Sequence, residues 1–88
     1  MGRARQVNWL AVVAQVEWHA ERRGSERPLA LRQAGERLEL TIEEEWVEGP
    51  TTAGQPVVRV FLALDERGRE LRIRTGSDGH VSVEQAME

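Results

Sequence analysis

The chain has 88 residues, of which 12 are arginine and none is lysine, cysteine or tyrosine, and its net charge is −3 at neutral pH. This length is enough for one domain with a hydrophobic core. The lack of cysteine excludes a disulfide framework and a zinc–thiolate site, and the negative net charge argues against non-specific binding of nucleic acids. The run Trp9–Ala14 is too short to span a bilayer, so we expect a soluble, cytoplasmic protein with no membrane partner.

The amino-terminal segment, residues 8–23, fits two structures. Its apolar residues alternate with polar ones from about Val12 to Glu21, which is typical of a strand. The same segment also fits one face of a helix, with Asn8 as the N-cap and Gly24 beyond the end. The β-branched valines favour the strand, so we predict a strand here, and a helix over residues 8–23 is the alternative.

The middle of the chain predicts two strands. Pro28–Leu31 indicates a short one. Residues 38–42 then alternate between apolar and polar side chains, and Trp46 has the parity of the apolar set, so we expect its indole in the core. Val47 has the opposite parity, and we therefore expect a β-bulge or bend near residues 44–45.

The first predicted hairpin of the carboxyl-terminal half joins two strands through a four-residue loop, Asp65–Gly68. Counting outward from this loop pairs Leu62 with Leu71 and Val60 with Ile73. The apolar faces of the two strands then coincide, which supports this register.

The second predicted hairpin has a three-residue loop, Ser77–Gly79. This loop pairs Ile73 with Val83 and Thr75 with Val81. It also puts the last glycine of the loop at the position where a type I turn followed by a bulge requires positive φ.

The register of the first hairpin places three arginines and one aromatic side chain on the outward face. Arg59 lies opposite Arg74, and Phe61 lies opposite Arg72, which also faces Glu84. Arginine beside an exposed aromatic ring is typical of a surface that stacks bases and contacts phosphates. We therefore take Arg59, Phe61, Arg72 and Arg74 as the candidate nucleic-acid or anion site, and call them the arginine face. The alternative is a cross-strand charge network, with Phe61 covered by the amino-terminal segment.

No group of residues has the pattern of a catalytic or metal site. Glu43, Glu44 and Glu45 are consecutive in a strand, so their side chains point alternately to opposite faces and suit an acidic edge that discourages strand pairing. The two histidines, His19 and His80, are expected at exposed positions. The serines lack the context of a catalytic nucleophile. We therefore expect no enzyme activity, no catalytic residue, no metal and no cofactor.

Several short motifs resemble an uncharacterised bacterial domain that occurs alone and beside proteins related to Y-family translesion polymerases. They are Arg27-Pro28-Leu29 entering a strand, Gly35-Glu36-Arg37, a strand ending in Trp46-Val47-Glu48, and a hairpin with a turn centred on Gly79. The resemblance covers about residues 13–86 and rests on this pattern. It implies a compact β-barrel-like module with a link to DNA damage tolerance, and it transfers no catalytic residue.

Together these features predict an all-β domain over residues 1–88, with residues 1–11 as an arm or short helix. Residues 12–88 would form an antiparallel sheet of five or six strands, curled into an SH3-like or open barrel. The predicted core comprises Trp18, Leu29, Leu31, Leu38, Leu40, Ile42, Trp46, Val58, Val60, Leu62, Leu64, Leu71, Ile73, Val81 and Val83. The predicted function is a non-catalytic interaction module that binds a protein partner, or a second copy, through an exposed strand or its arm. The alternative is a nucleic-acid-binding accessory factor that uses the arginine face.

Overall fold

A computed structural model describes residues 7–20, 26–49, 54 and 57–87. This part of the chain contains strands and turns but no helix, so the all-β prediction is confirmed and the helix alternative for the amino-terminal segment is wrong. The described residues form seven strands, where five or six were predicted. They are β1 (Asn8–Ala11), β2 (Gln15–Ala20), β3 (Glu26–Gln33), β4 (Glu36–Glu48), β5 (Val58–Asp65), β6 (Glu70–Gly76) and β7 (Val81–Met87). Residues 1–6 of the predicted arm lie outside the described residues, and the prediction of an arm or short helix is wrong for residues 8–11, which form β1.

All seven strands belong to one antiparallel sheet, in the order β1-β7-β6-β5-β4-β3-β2. Strands β1 and β2 are its two edges and do not pair with each other, so the sheet is not closed into a barrel. Residues 12–14 connect these two edges directly. Within the described ranges, no helix is long and apolar enough to cross a membrane.

Strand β4 is long because it belongs to both halves of the sheet. Residues 36–39 pair with β3, and residues 40–48 pair with β5. An extra residue, Glu43, lies between the paired residues Ile42 and Glu44 and forms a β-bulge, close to the bend predicted at residues 44–45. A bulge bends its strand and increases the local twist. Strands β2 and β3 can therefore fold over one face of β5, β6 and β7.

The hydrophobic core lies between two parts of the sheet, β2 and β3 on one side and β5, β6 and β7 on the other. Its buried centre is Leu31, Phe61, Leu71, Ile73 and Val83, with Val12, Ala14, Val16, Trp18, Leu40 and Ile42 packed against it. We call the side of the sheet that faces this cluster the core face, and the opposite side the outer face. Of the predicted core residues, Leu29, Trp46 and Val81 are exposed instead.

Trp46 lies on the outer face, and its predicted place in the core is wrong. The bulge at Glu43 reverses the alternation that relates Trp46 to Leu40 and Ile42. The indole is 37% exposed, and it lies opposite Val60. The parity of a single strand therefore fails here, because it holds only up to an inserted residue.

The β5–β6 hairpin differs from its predicted register by one residue. Phe61 pairs with Ile73 and Ala63 pairs with Leu71, both on the core face. The loop is three residues long rather than four: Asp65 N–H donates to the Arg69 carbonyl at 3.1 Å. A slip of one residue moves every side chain of a strand to the other face. Phe61 and Ala63 are therefore in the core. Their even-numbered neighbours Val58, Val60, Leu62 and Leu64 lie on the outer face, where Val60 is buried as predicted, at 1% exposure.

The second hairpin has the predicted register. Ile73 pairs with Val83 and Thr75 with Val81. Gly79 closes the loop with φ of 90°, and its N–H donates to the Gly76 carbonyl at 2.9 Å. Positive φ at this position is the reason that glycine is favoured there.

Candidate functional site: the outer edge of strand β1

The four residues of the predicted arginine face are divided between the two sides of the sheet. Arg59 and Phe61 are on the core face, whereas Arg72 and Arg74 are on the outer face. Phe61 is fully buried, and the ring of Trp18 meets it edge-on at a centroid distance of 6.0 Å. The predicted facing of Arg59 with Arg74 and of Phe61 with Arg72 is wrong, because both pairs depended on the four-residue loop. The predicted facing of Arg72 with Glu84 is confirmed.

Each arginine on the outer face is paired with a carboxylate. Arg72 Nη2 lies 2.6 Å from Glu84 Oε1, and its guanidinium lies 4.6 Å from the centre of the Trp9 ring. Arg74 Nη2 lies 3.1 Å from Glu48 Oε1. A phosphate bound at these guanidinium groups would have to compete with the carboxylates that already neutralise them.

Arg59 is also engaged, although on the core face. Its Nη2 donates to the Glu26 carbonyl at 3.0 Å and lies 3.5 Å from Glu45 Oε2. Its guanidinium lies over the buried ring of Phe61, 4.9 Å from the ring centre. These contacts join the beginning of β3 to the end of β4 and to β5. They indicate that Arg59 holds the three strands together.

Acidic and histidine side chains do not assemble into a metal site in the described part of the chain. No group of three or more histidine, aspartate or glutamate side chains is close enough to hold an ion there. His19 lies in the edge strand β2, and His80 precedes β7. Glu43 is the bulged residue. Glu44 and Glu45 are consecutive paired residues, and they therefore face opposite sides of the sheet.

Open strand edges are a further candidate surface, and besides the two edge strands β1 and β2 they include the part of β4 that β3 leaves unpaired. Residues 43–48 of β4 include four glutamates. The backbone edge of this stretch has no partner in β3, because β3 pairs with β4 only before it. Edge strand β2 contains Glu17, which accepts hydrogen bonds from Arg37 at 2.9 Å and from Arg32. These bonds hold the pKa of Glu17 below its usual 4.5. Charged residues on an edge discourage further strand pairing.

The edge formed by β1 carries no charge. Residues 7–16 are Val-Asn-Trp-Leu-Ala-Val-Val-Ala-Gln-Val, without a single acidic or basic side chain. Leu10 is 50% exposed and Val13 is 95% exposed. In the described part of the chain no strand lies beyond β1. This edge is therefore an uncharged, largely apolar strand with open backbone groups, which is the type of edge that accepts another strand.

Two residues of β1 direct their backbone groups outward. Strand β1 pairs with β7 in a register that opposes Ala11 to Glu84 and Trp9 to Ala86. Val12 N–H donates to the Val83 carbonyl at 2.8 Å, one step further along this register. Because hydrogen-bonded and non-hydrogen-bonded pairs alternate in an antiparallel ladder, the N–H and C=O groups of Trp9 and Ala11 face away from β7.

The sequence contains a signal for this edge. The apolar run Trp9–Ala14 is visible in the chain, but its length bears only on whether it spans a membrane. Its assignment to an edge depends on the pairing of β1 with β7, which joins residues almost at opposite ends of the chain. Comparison with known proteins adds no further indication of function, because no family model, no curated protein and no solved structure matches this chain.

Proposed function

We propose that the chain is a non-catalytic protein-interaction module that binds a strand of its partner along the outer edge of β1. The observation that carries this proposal is the open, uncharged edge of β1 with its half-exposed Leu10. The backbone groups of Trp9 and Ala11 would provide the hydrogen bonds, and Leu10 would contribute apolar contact. We place the protein in the cytoplasm, with which its lack of cysteine is in keeping.

The nucleic-acid alternative has less support. It requires an exposed aromatic ring beside unpaired arginines. Phe61 is buried, and Arg72 and Arg74 each contact a carboxylate. The chain also has a net charge of −3, which opposes non-specific attraction to phosphates.

Ala11→Pro provides the experimental test. Proline lacks the N–H that a partner strand would need, and it is tolerated on an edge strand where that N–H faces solvent. Ala11→Ser is the matched control because it keeps the N–H at the same position. Tagged wild type and both variants would be used for affinity capture from a native lysate, with and without nuclease treatment.

We expect wild type and Ala11→Ser to retain the same protein partner and Ala11→Pro to lose it, irrespective of nuclease. Circular dichroism and thermal melting would establish that the proline variant is folded. Capture of the same partner by Ala11→Pro would contradict the proposal. Loss of every partner on nuclease treatment would favour the nucleic-acid alternative instead.

A further inference from the structure

We infer that the strand received by β1 is β1 of a second copy, so that two chains pair antiparallel about a two-fold axis at Leu10. This inference rests on the proposed function, because it uses the same edge. It joins two seven-stranded sheets into one continuous sheet. Such an interface is isologous: the same surface of each chain contacts its own copy.

Self-pairing selects among the edges by charge. An antiparallel pair about a two-fold axis puts residues of a strand opposite residues of the same strand, and like charges directly opposite each other are destabilising. Self-pairing along the open edge of β4 would place the acidic stretch 43–48 of one chain beside the same stretch of the other. Strand β2 carries Glu17 with its two partners Arg32 and Arg37, so self-pairing there would have to accommodate two sets of these charged side chains. Strand β1 has no charge to repel its copy, so it is the edge that suits self-association.

The direction of the backbone groups also selects the register. Trp9 and Ala11 are the two residues of β1 whose N–H and C=O groups face outward. If Leu10 lies on the two-fold axis, Trp9 of each chain opposes Ala11 of the other, and both outward residues are hydrogen-bonded. Centring the pair on Trp9 or on Ala11 instead would require hydrogen bonds from residues outside β1.

The chosen register also covers the exposed leucine. Leu10 of one chain would oppose Leu10 of the other in a non-hydrogen-bonded pair, where the Cα atoms are closest, at about 4.5 Å. Each Leu10 is 50% exposed in the single chain. Burying both side chains against each other removes apolar surface from water, which favours association.

A charge-swap experiment on the purified full chain tests both the dimer and its register. Molar mass would be measured by sedimentation equilibrium from low micromolar to sub-millimolar concentrations for wild type, Leu10→Glu and Leu10→Arg. Each variant places two like charges against each other across the axis, so we expect the dimer dissociation constant to rise about tenfold or more. An equimolar mixture of the two variants brings opposite charges together, and we expect it to restore the dimer as a heterodimer.

Two further variants control the experiment. Leu10→Gln removes the apolar contact without adding charge, so mixing it with either charged variant should restore nothing. Ala11→Pro removes an outward N–H without changing Leu10, and we expect it to be monomeric. Circular dichroism would be recorded for every variant, and the monomer–dimer comparison would use those with the wild-type spectrum.

Two results would overturn the inference: a monomeric wild type over the whole concentration range, or a dimer that persists in both charged variants. Neither result alone removes the proposed function. If wild type is monomeric but captures a lysate partner that Ala11→Pro loses and Ala11→Ser keeps, self-pairing is wrong and the edge binds another protein. If Ala11→Pro also captures that partner, both proposals fail.

Discussion

The carboxylate of Asp65 and the guanidinium of Arg69 form an ion pair at the turn between β5 and β6, with 2.9 Å between Oδ2 and Nε. The Asp65 side chain is fully buried. Its Oδ1 accepts the backbone N–H groups of Arg67 and Arg69, each at 2.9 Å. Arg69 also donates to Gln85 on β7 at 2.9 Å and to Gln33 on β3 at 2.8 Å. One carboxylate therefore stabilises the loop, and its partner links three strands.

Replacing Asp65 by alanine should destabilise the fold strongly. It leaves two loop amides and a partly buried guanidinium without their acceptor, and loss of one partner of a buried ion pair costs about 3 kcal/mol or more. Arg67→Ala is a matched control in the same loop, because Arg67 pairs with Glu36 at the surface, at 2.7 Å. We expect that control to cost less than about 1 kcal/mol. Urea denaturation of both variants measures the difference. Similar losses for the two would contradict a special role of Asp65.

The same carboxylate should make stability depend on acid pH. Burial of Asp65 by itself raises its pKa, but hydrogen bonds from the amides of Arg69 and Arg67 and from the Arg69 guanidinium outweigh burial and lower the pKa below 3.8. A carboxyl group whose pKa is lower in the folded state stabilises the fold above its unfolded pKa, and this stabilisation is lost as the pH falls through the folded value. Melting temperature should therefore fall more steeply below pH 3.8 for wild type than for Asp65→Asn. Parallel acid limbs would show that Asp65 is not the group concerned.

The bulge in β4 and the register of the β5–β6 hairpin together predict unequal outcomes for two aromatic residues. Phe61 is fully buried on the core face, so Phe61→Ala should cost about 4 kcal/mol. Trp46 is 37% exposed on the outer face, and Trp46→Ala should cost about 1 kcal/mol. Thermal melting of the two variants measures this contrast. A loss of stability for Trp46→Ala larger than that for Phe61→Ala would mean that β4 has no bulge and that the indole of Trp46 is in the core.

The second hairpin shows what could be predicted from the sequence alone. Only a three-residue loop makes the apolar residues of β6 and β7 coincide, and it also puts Gly79 where positive φ is needed. Turn chemistry and apolar alternation therefore point to the same register. Where two independent local signals agree, tertiary contacts are not needed to choose between registers.

The first hairpin shows why the rest could not be predicted. Strand β5 has apolar residues at both parities, so either Leu62 or Phe61 can be assigned to the core from alternation alone. The observed choice depends on the three-residue loop held by Asp65 and on Trp18, which covers Phe61 from a distant part of the chain. The arginine face followed from the wrong register and was divided between the two sides of the sheet with it. The open edge of β1 likewise depends on pairing between the two ends of the chain.

Oligonucleotides should not bind the isolated chain. If Arg59 and Arg74 contacted phosphates, affinity would fall steeply with salt, because bound counterions are released. Both arginines instead contact glutamates, Glu45 at 3.5 Å and Glu48 at 3.1 Å. Fluorescence anisotropy with short single-stranded and duplex oligonucleotides at low salt should therefore show no binding at tens of micromolar protein, either for wild type or for the double variant Arg59→Gln, Arg74→Gln. The contrary result would be binding by wild type that is weaker, and depends less on salt, in the double variant. It would support the nucleic-acid function and show that phosphate can replace the glutamates as partners of Arg59 and Arg74.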